Sequence, residues 1–216
     1  LNGTRTLLHG WATDGDGDPV VLQGGFSITV EDDVPQAHDN EACTTEGSLA
    51  PVSLTLVLDS SGSMVTNGRM ALAQSALNNL IDSYVALGVQ LKIKVIDFDT
   101  NAGLVYEGTN AADAKAAISA MTAGGITDYA DALVLATDEI GHELNPLDAE
   151  YLPGYEQKVY FLSDGEPNPP ASAGTMVNWQ QCIADNHIDV VSVGIEIPVT
   201  TPDSAAEVAL GQVANA

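Results

Sequence analysis

Apolar and polar positions recur along this chain with two different periods, and each change of period marks a change of expected structure. Residues 54–58, Leu-Thr-Leu-Val-Leu, form a short and almost wholly apolar run, the pattern of a strand buried on both faces. Met70, Ala73, Leu77, Leu80, Ile81 and Tyr84 then recur at helical spacing and predict an amphipathic helix. Leu91, Ile93 and Val95 alternate with Lys92 and Lys94, so the next strand is expected to have one wet face and to lie near a sheet edge. A short strand near residues 104–106 follows. Asn110 is placed to cap an alanine-rich helix reaching about Met121. Another helix is expected over about 128–140, with Leu133, Ala136 and Ile140 on one face. Residues 159–162 read as a second buried strand, followed by a proline-rich loop, a helix over about 177–184, a strand over 188–195 and a helix over about 205–214. This alternation predicts an α/β fold, a doubly wound and mostly parallel sheet with right-handed crossovers.

The first fifty residues follow another pattern. Residues 4–13 and 25–30 read as strands, the latter with Phe26, Ile28 and Val30 alternating. Between them lies Asp14-Gly15-Asp16-Gly17-Asp18-Pro19. Asp14, Asp16 and Asp18 open like an EF-hand loop, but Gly25 stands where a closing Glu is required. A Gly/Asp hairpin turn is the plainer reading. Calcium held at that turn, or with Asp32 and Asp33, stays open on coordination chemistry alone. The chain therefore divides into a β-rich appendage over 1–36, a linker of small and polar residues over 37–51, and an α/β domain over 52–216. Its 216 residues leave room for one sizeable core plus that appendage.

Candidate chemistry starts where the first buried strand ends, in Asp59-Ser60-Ser61-Gly62-Ser63. Asp59, Ser61 and Ser63 fall at the strand's carboxyl end, where open α/β sheets place their ligands. Hard oxygen donors without His or Cys suit Mg²⁺ or a similar cation and suit zinc poorly. Further on, Gly124-Gly125-Ile126-Thr127 opens a helix, and Asp164 ends another buried strand. Taken singly, a Ser or Thr here would merely cap a helix, and Asp164-Gly165 would be a plain turn. Jointly and in this order, Asp59, Ser61, Ser63, Thr127 and Asp164 resemble the metal-ion-dependent adhesion site of von Willebrand factor A domains, found in integrins and many bacterial adhesins. The resemblance implies that Ser61 and Ser63 bind Mg²⁺ (or Ca²⁺ or Mn²⁺) directly and that Asp59 and Asp164 act largely through water. Thr127 would bind directly in the ligand-ready form. It also implies that an Asp or Glu of a protein partner completes the coordination. The family normally ends in one further strand and helix, and Leu1 is not a start methionine, so the chain is expected to be a fragment of a longer protein.

Charge narrows the partners. Six basic against 30 acidic side chains give a formal net charge of −24, which repels phosphate backbones and argues against nucleic acid. Such a surface suits a salty or calcium-rich medium. No apolar run approaches the length that crosses a membrane, so membrane insertion is not expected. The acidic turn, together with the exit Val30-Glu31-Asp32-Asp33-Val34-Pro35, resembles the end of the immunoglobulin-like extender repeats of giant bacterial RTX adhesins. That resemblance implies a secreted, extracellular, cell-surface protein. Cys43 and Cys182 are both expected near the amino edge of the sheet, where a disulfide is plausible, although two unrelated thiols are the alternative. The four histidines show no ligand spacing.

An enzymatic rival rests on Ile96-Asp97-Phe98-Asp99-Thr100-Asn101, which resembles the nucleophile loop of haloacid dehalogenase-type phosphatases. There Asp97 would attack phosphorus and Asp99 would act as acid and base. Asn101 stands where that family has Thr, and all four lysines precede Ser163, leaving none to hold a phosphoryl group. A metal-stiffened spacer that receives no ligand is a further alternative. Asp99, Asp128 and Asp131 are placed to recruit a second cation or to discourage acidic ligands. The expected function is a non-catalytic, metal-dependent adhesion module, attaching to a host, neighbouring cells or a substratum.

Overall fold

The computed structural model describes residues 49–196 and 204–214, together with the backbone of four short strands between residues 5 and 28. The chain falls into two compact units, Leu1–Glu46 and Gly47–Ala216. In the first, β1 (Arg5–Thr6) pairs antiparallel with β4 (Ser27–Ile28), and β2 (Trp11–Thr13) with β3 (Pro19–Val21). Thr13 stands opposite Pro19 in the β2–β3 pair. The strand β3 was not legible in the hydrophobic pattern, because Pro19 and Val20-Val21 carry no alternation. Asp14, Asp16, Asp18, Asp32, Asp33 and Cys43 lie outside the described residues, and with them the calcium and disulfide expectations. Cys182, on the body of the second unit, carries a free thiol.

The second unit is a five-stranded sheet flanked by helices on both faces. β5 (Val52–Asp59) is central, paired in parallel with β6 (Leu91–Phe98) on one side and β8 (Glu156–Ser163) on the other. β7 (Ala102–Gly108) runs antiparallel at one edge beside β6, and β9 (Asp189–Gly194) runs parallel at the other beside β8. Every residue of β5 is buried, which accounts for its largely apolar run. Leu54, Leu56 and Leu58 pack against Met70, Ala73, Leu77 and Ile81 of α1 (Arg69–Ala86) and Ala114 and Ile118 of α2 (Ala111–Ala120). On the other face Val57, Ile96, Phe98, Val159 and Phe161 pack on α3 (Tyr129–Leu144), α4 (Ala173–Asp185) and α5 (Ala205–Ala214). Each leucine buried in this way stabilises the fold by about 1.5–3 kcal/mol, so the two layers rather than helix propensity hold the helices in place.

β6 lies near the sheet edge as expected, second to β7, but its expected wet face is largely covered: Lys94 is completely buried and Lys92 only partly exposed. The helix α3 runs to Leu144, past the expected end near Ile140, and its extra turn covers Lys94. The ammonium lies 3.0 Å from Glu139 Oε2, 3.3 Å from Glu143 Oε1 and 3.7 Å from Glu150 Oε2. It also donates to the Glu139 carbonyl at 2.6 Å. Burial pulls the ammonium toward neutrality, but the carboxylates of Glu143 and Glu139 outweigh it, so Lys94 stays charged.

Register carries the fold to its functional edge. Leu58 is level with Leu162, and Asp59 is level with Phe98, so β5, β6 and β8 end together. The order β6-β5-β8 makes the gap between β5 and β8 the point where successive crossovers go to opposite sides. In open parallel sheets a ligand crevice forms there, outside the carboxyl ends of the strands.

Candidate metal centre

Three loops meet at that crevice, and backbone hydrogen bonds tie them together. The loop after β5 receives Gly124 N–H on the Ser60 carbonyl (2.7 Å), and Gly62 N–H donates to the Gly125 carbonyl (3.2 Å). Gly125 has φ +74°, and a Cβ there would stand 2.6 Å from Thr100 Oγ1 and 2.8 Å from Asp99 Oδ2. Only glycine lets this loop come so close. Asp128 N–H donates to the Asp99 carbonyl (2.9 Å), and Thr127 O accepts from Asn168 N–H (2.8 Å), which fixes Thr127 between the loops after β6 and β8. Asp128, not Thr127, caps α3: its Oδ1 accepts from the N–H groups of Ala130 and Asp131. The hydroxyl of buried Thr127 is thereby spared that duty.

Side-chain oxygens link Ser61, Ser63 and Asp164, and a backbone N–H ties Asp59 to them. Asp59 is wholly buried; its Oδ1 accepts from Ser61 N–H at 2.8 Å, and its Oδ2 accepts from the Ser163 hydroxyl. Ser61 Oγ and Ser63 Oγ are 2.9 Å apart, and Ser63 donates to Asp164 Oδ1 at 2.7 Å. Hydrogen bonds thus bring Asp59, Ser61, Ser63 and Asp164 together, and the pinned 124–127 loop carries Thr127 to the same sheet edge. Burial pushes the Asp59 carboxyl above its ordinary range; hydrogen bonds from Ser163 and Ser61 oppose the rise, and the charge of Asp164 adds to it. Below the site Phe98, Tyr129 and Phe161 stack edge-on or tilted at 4.9–5.7 Å, and Tyr129 donates to the Gly165 carbonyl at 3.0 Å.

The donor set fits a hard divalent cation. Two oxygens at adjacent corners of an octahedron with ~2.1 Å bonds lie about 3.0 Å apart. Ser61 and Ser63, at 2.9 Å, already hold that spacing. A cation among these oxygens would also offset the burial that raises the Asp59 carboxyl.

Residues that the pattern did not flag complete the picture. Ser163 fixes Asp59, and its position directly before Asp164 was the available signal. Arg69 Nη1 lies 2.7 Å from Asp164 Oδ2, and its Nε lies 3.0 Å from Glu196 Oε2. A basic residue opening a helix opposes the helix dipole, and that anomaly at Arg69 was legible. Asp99 accepts from Thr100 and Asn101 N–H groups and so shapes its own turn. Asp97 is partly buried, and its carboxyl is raised by burial, opposed by Ser60 and reinforced by Asp99. Asp131 lies in the first turn of α3. A separate group, Glu107, Glu139 and Glu150, brings carboxylate oxygens within 4.8 Å of one another around Lys94.

The class is thus an open, doubly wound α/β domain with hydroxyl and carboxylate oxygens gathered at its switch point. A family model described as the von Willebrand factor type A domain matches residues 54–166. The chain belongs to that family. Solved structures share the fold at low identity. One is a von Willebrand factor type A protein from Catenulispora acidiphila (19% identity, TM-score 0.58, covering 76% of this chain and 36% of that one). Another is BatB from Bacteroides thetaiotaomicron (18%, TM-score 0.56, 76% and 85%). A third is proximal thread matrix protein 1 from the mussel byssus, in a form described as having a zinc-occupied MIDAS motif (17%, TM-score 0.55, 77% and 40%). The chain thus spans well under half the length of two of these three. No curated protein matches the sequence. Among the described residues no helix is long and apolar enough to cross a membrane.

Proposed function

We infer that this domain binds one divalent cation through Ser61, Ser63 and Thr127, with Asp59 and Asp164 behind them, and uses it to receive a carboxylate from a protein partner. The observation that carries this reading is the Ser61–Ser63–Asp164 hydrogen-bonded chain, which joins two loops directly above buried Asp59. The bound cation would supply Lewis acidity and a coordination position open to a ligand. Ser61, Ser63 and Thr127 are neutral donors and quench little of that charge. Asp59, held by Ser163 and by Ser61 N–H, fixes the serine loop. An Asp or Glu side chain from a partner supplies the missing negative charge, even though the chain itself carries −24. Repulsion from that net charge slows the encounter, and salt relieves it.

Mg²⁺ is the preferred ion on donor type, with Ca²⁺ and Mn²⁺ next. Zinc, which the mussel protein's description places in a motif of this kind, belongs in the same titration series. We place the domain in a secreted bacterial surface adhesin, after an extender-like β unit, with attachment to a host, neighbouring cells or a substratum as its role. Support for that placement is the Asp/Gly run at residues 14–18 of the sequence and the acidic composition. No catalysis belongs to this reading. Asp99 is engaged with its own turn rather than poised as an acid beside Asp97.

The test is calorimetric titration of Mg²⁺ and Mn²⁺ into the full chain and into Asp59→Ala and Thr127→Ala. Cation binding should fall by at least about tenfold in both variants, with circular dichroism unchanged. Equal binding in the three proteins rejects the site. Turnover of a phosphate ester that is lost in Asp97→Asn would favour the enzymatic rival instead.

A further inference from the structure

Arg69 is a cation already in contact with the metal centre. Its side chain is one-fifth exposed, while the Asp164 side chain it grips is fully buried. With Nη1 on Asp164 Oδ2 and the Ser63 hydroxyl on Oδ1, both oxygens of that carboxylate are engaged by the protein itself. The other edge of the guanidinium is held by Glu196, whose Oε2 also accepts from Asn67 Nδ2 at 3.2 Å. The fork therefore spans two carboxylates, one inside the crevice and one on its rim. Its placement has local costs. Arg69 opens α1, where the helix dipole disfavours positive charge, and α1 has no acidic residue in its first turn to offset it. Asn67 and Glu196 both adopt left-handed backbone, at φ 54° and φ 52°. Ile195 N–H on the Ser163 carbonyl (2.9 Å) seats Glu196 beside the strand that carries Asp164.

We propose that Arg69 competes with the incoming divalent cation for Asp164 and so sets the affinity of the centre, with Glu196 as the carboxylate onto which the guanidinium withdraws. This rests on the metal-site reading. A divalent ion and a guanidinium cannot both draw fully on one carboxylate, because the second positive charge is repelled by the first at this distance. Asp164 shared with Arg69 offers less negative charge to a cation held in front of it, so the site stays intact without metal yet binds metal less tightly than its donors allow. Glu196 has the opposite sign: the more firmly it holds Arg69, the freer Asp164 becomes.

Four full-length proteins decide the matter by Mg²⁺ titration and by thermal unfolding in chelator: wild type, Arg69→Gln, Glu196→Gln and Lys92→Gln. Lys92 pairs with Glu107 near the start of β6, away from the carboxyl ends of the strands, and controls for loss of one positive charge. Arg69→Gln should tighten Mg²⁺ binding by about three- to tenfold, the range expected for a partly exposed charged pair, and lower the melting temperature in chelator. Glu196→Gln should weaken Mg²⁺ binding, and Lys92→Gln should leave it unchanged. Wild-type binding with Arg69→Gln equal or weaker overturns the competition while leaving the site standing. Equal tightening in Lys92→Gln also overturns it, by showing a mere net-charge effect. Absence of cation binding in all four proteins overturns both readings. Should Arg69→Gln fail to fold, an unchanged or tighter affinity in Glu196→Gln overturns the proposal by itself.

Discussion

Buried charge at Lys94 shows how single residues hold this molecule together. Its ammonium has no exposure and is held by Glu139 and Glu143, of which Glu143 is itself buried. Removing the positive member strands the negative one in a low-dielectric interior. Lys94→Met is therefore expected to cost about 3 kcal/mol or more in denaturant unfolding, and adding Glu143→Gln should recover part of it. An exposed lysine would change stability by less than about 1 kcal/mol and show no such rescue. This residue was misread as solvent-facing because the apolar–basic alternation of residues 91–95 is the signature of a half-wet strand. Nothing local reveals that a distant helix supplies the carboxylates. Asp59 and Asp164, by contrast, were legible as residues, since each stands at the carboxyl end of a buried strand.

At the scale of elements, caps and close approaches place the loops. Asn110 accepts from Ala112 and Asp113 N–H groups at the start of α2, and Asp128 does the same for α3. Each cap replaced by Ala should cost about 1 kcal/mol. Asp128→Ala should also weaken Mg²⁺ binding, because Thr127 precedes it; Asn110→Ala should not. Gly125→Ala places a methyl against Thr100 and Asp99 in left-handed backbone, so a loss of about 1–2 kcal/mol and loosened cation binding are expected in unfolding and titration experiments. At the other end of α3, His142 Nδ1 lies 2.7 Å from Asp148 Oδ2. That hydrogen bond raises the imidazole from its usual 6.5 and lowers the carboxyl from its usual 3.8. The imidazole's contribution is present below pH 6.5 and is lost as pH rises through its raised value. The carboxyl's contribution is present above pH 3.8 and is lost as pH falls through its lowered value. The pair thus stabilises most between these limits, and His142→Gln should flatten the pH dependence of stability there. The starts of α1, α2, α3 and α5 and the Gly124–Thr127 loop were readable because caps, periodicity and glycines act locally, whereas α4 starts at Ala173, four residues before its expected start. The end of α3 and the first-unit strand β3 were not, since tertiary cover and strand pairing set them.

For the whole molecule, the balance of 30 acidic and 6 basic side chains makes cations part of the energetics. Mg²⁺ at a hundredfold excess over its dissociation constant should stabilise the folded chain by about 2.7 kcal/mol through mass action, and chelator should reverse the rise in melting temperature. Association with an acidic partner should quicken with added salt, and stopped-flow measurement reads the sign directly. The doubly wound architecture was legible from alternating periods alone. The Arg69–Glu196 clasp was not, because it joins residues 127 positions apart that share no motif.

The most direct measurement is paramagnetic broadening of backbone amides by substoichiometric Mn²⁺ in the isotope-labelled chain. If three loops share one ion, the amides of Gly62, Thr127 and Gly165 should broaden together and recover together in Asp59→Ala. Broadening confined to one of these loops, or centred on Glu107, Glu139 and Glu150, would contradict the account.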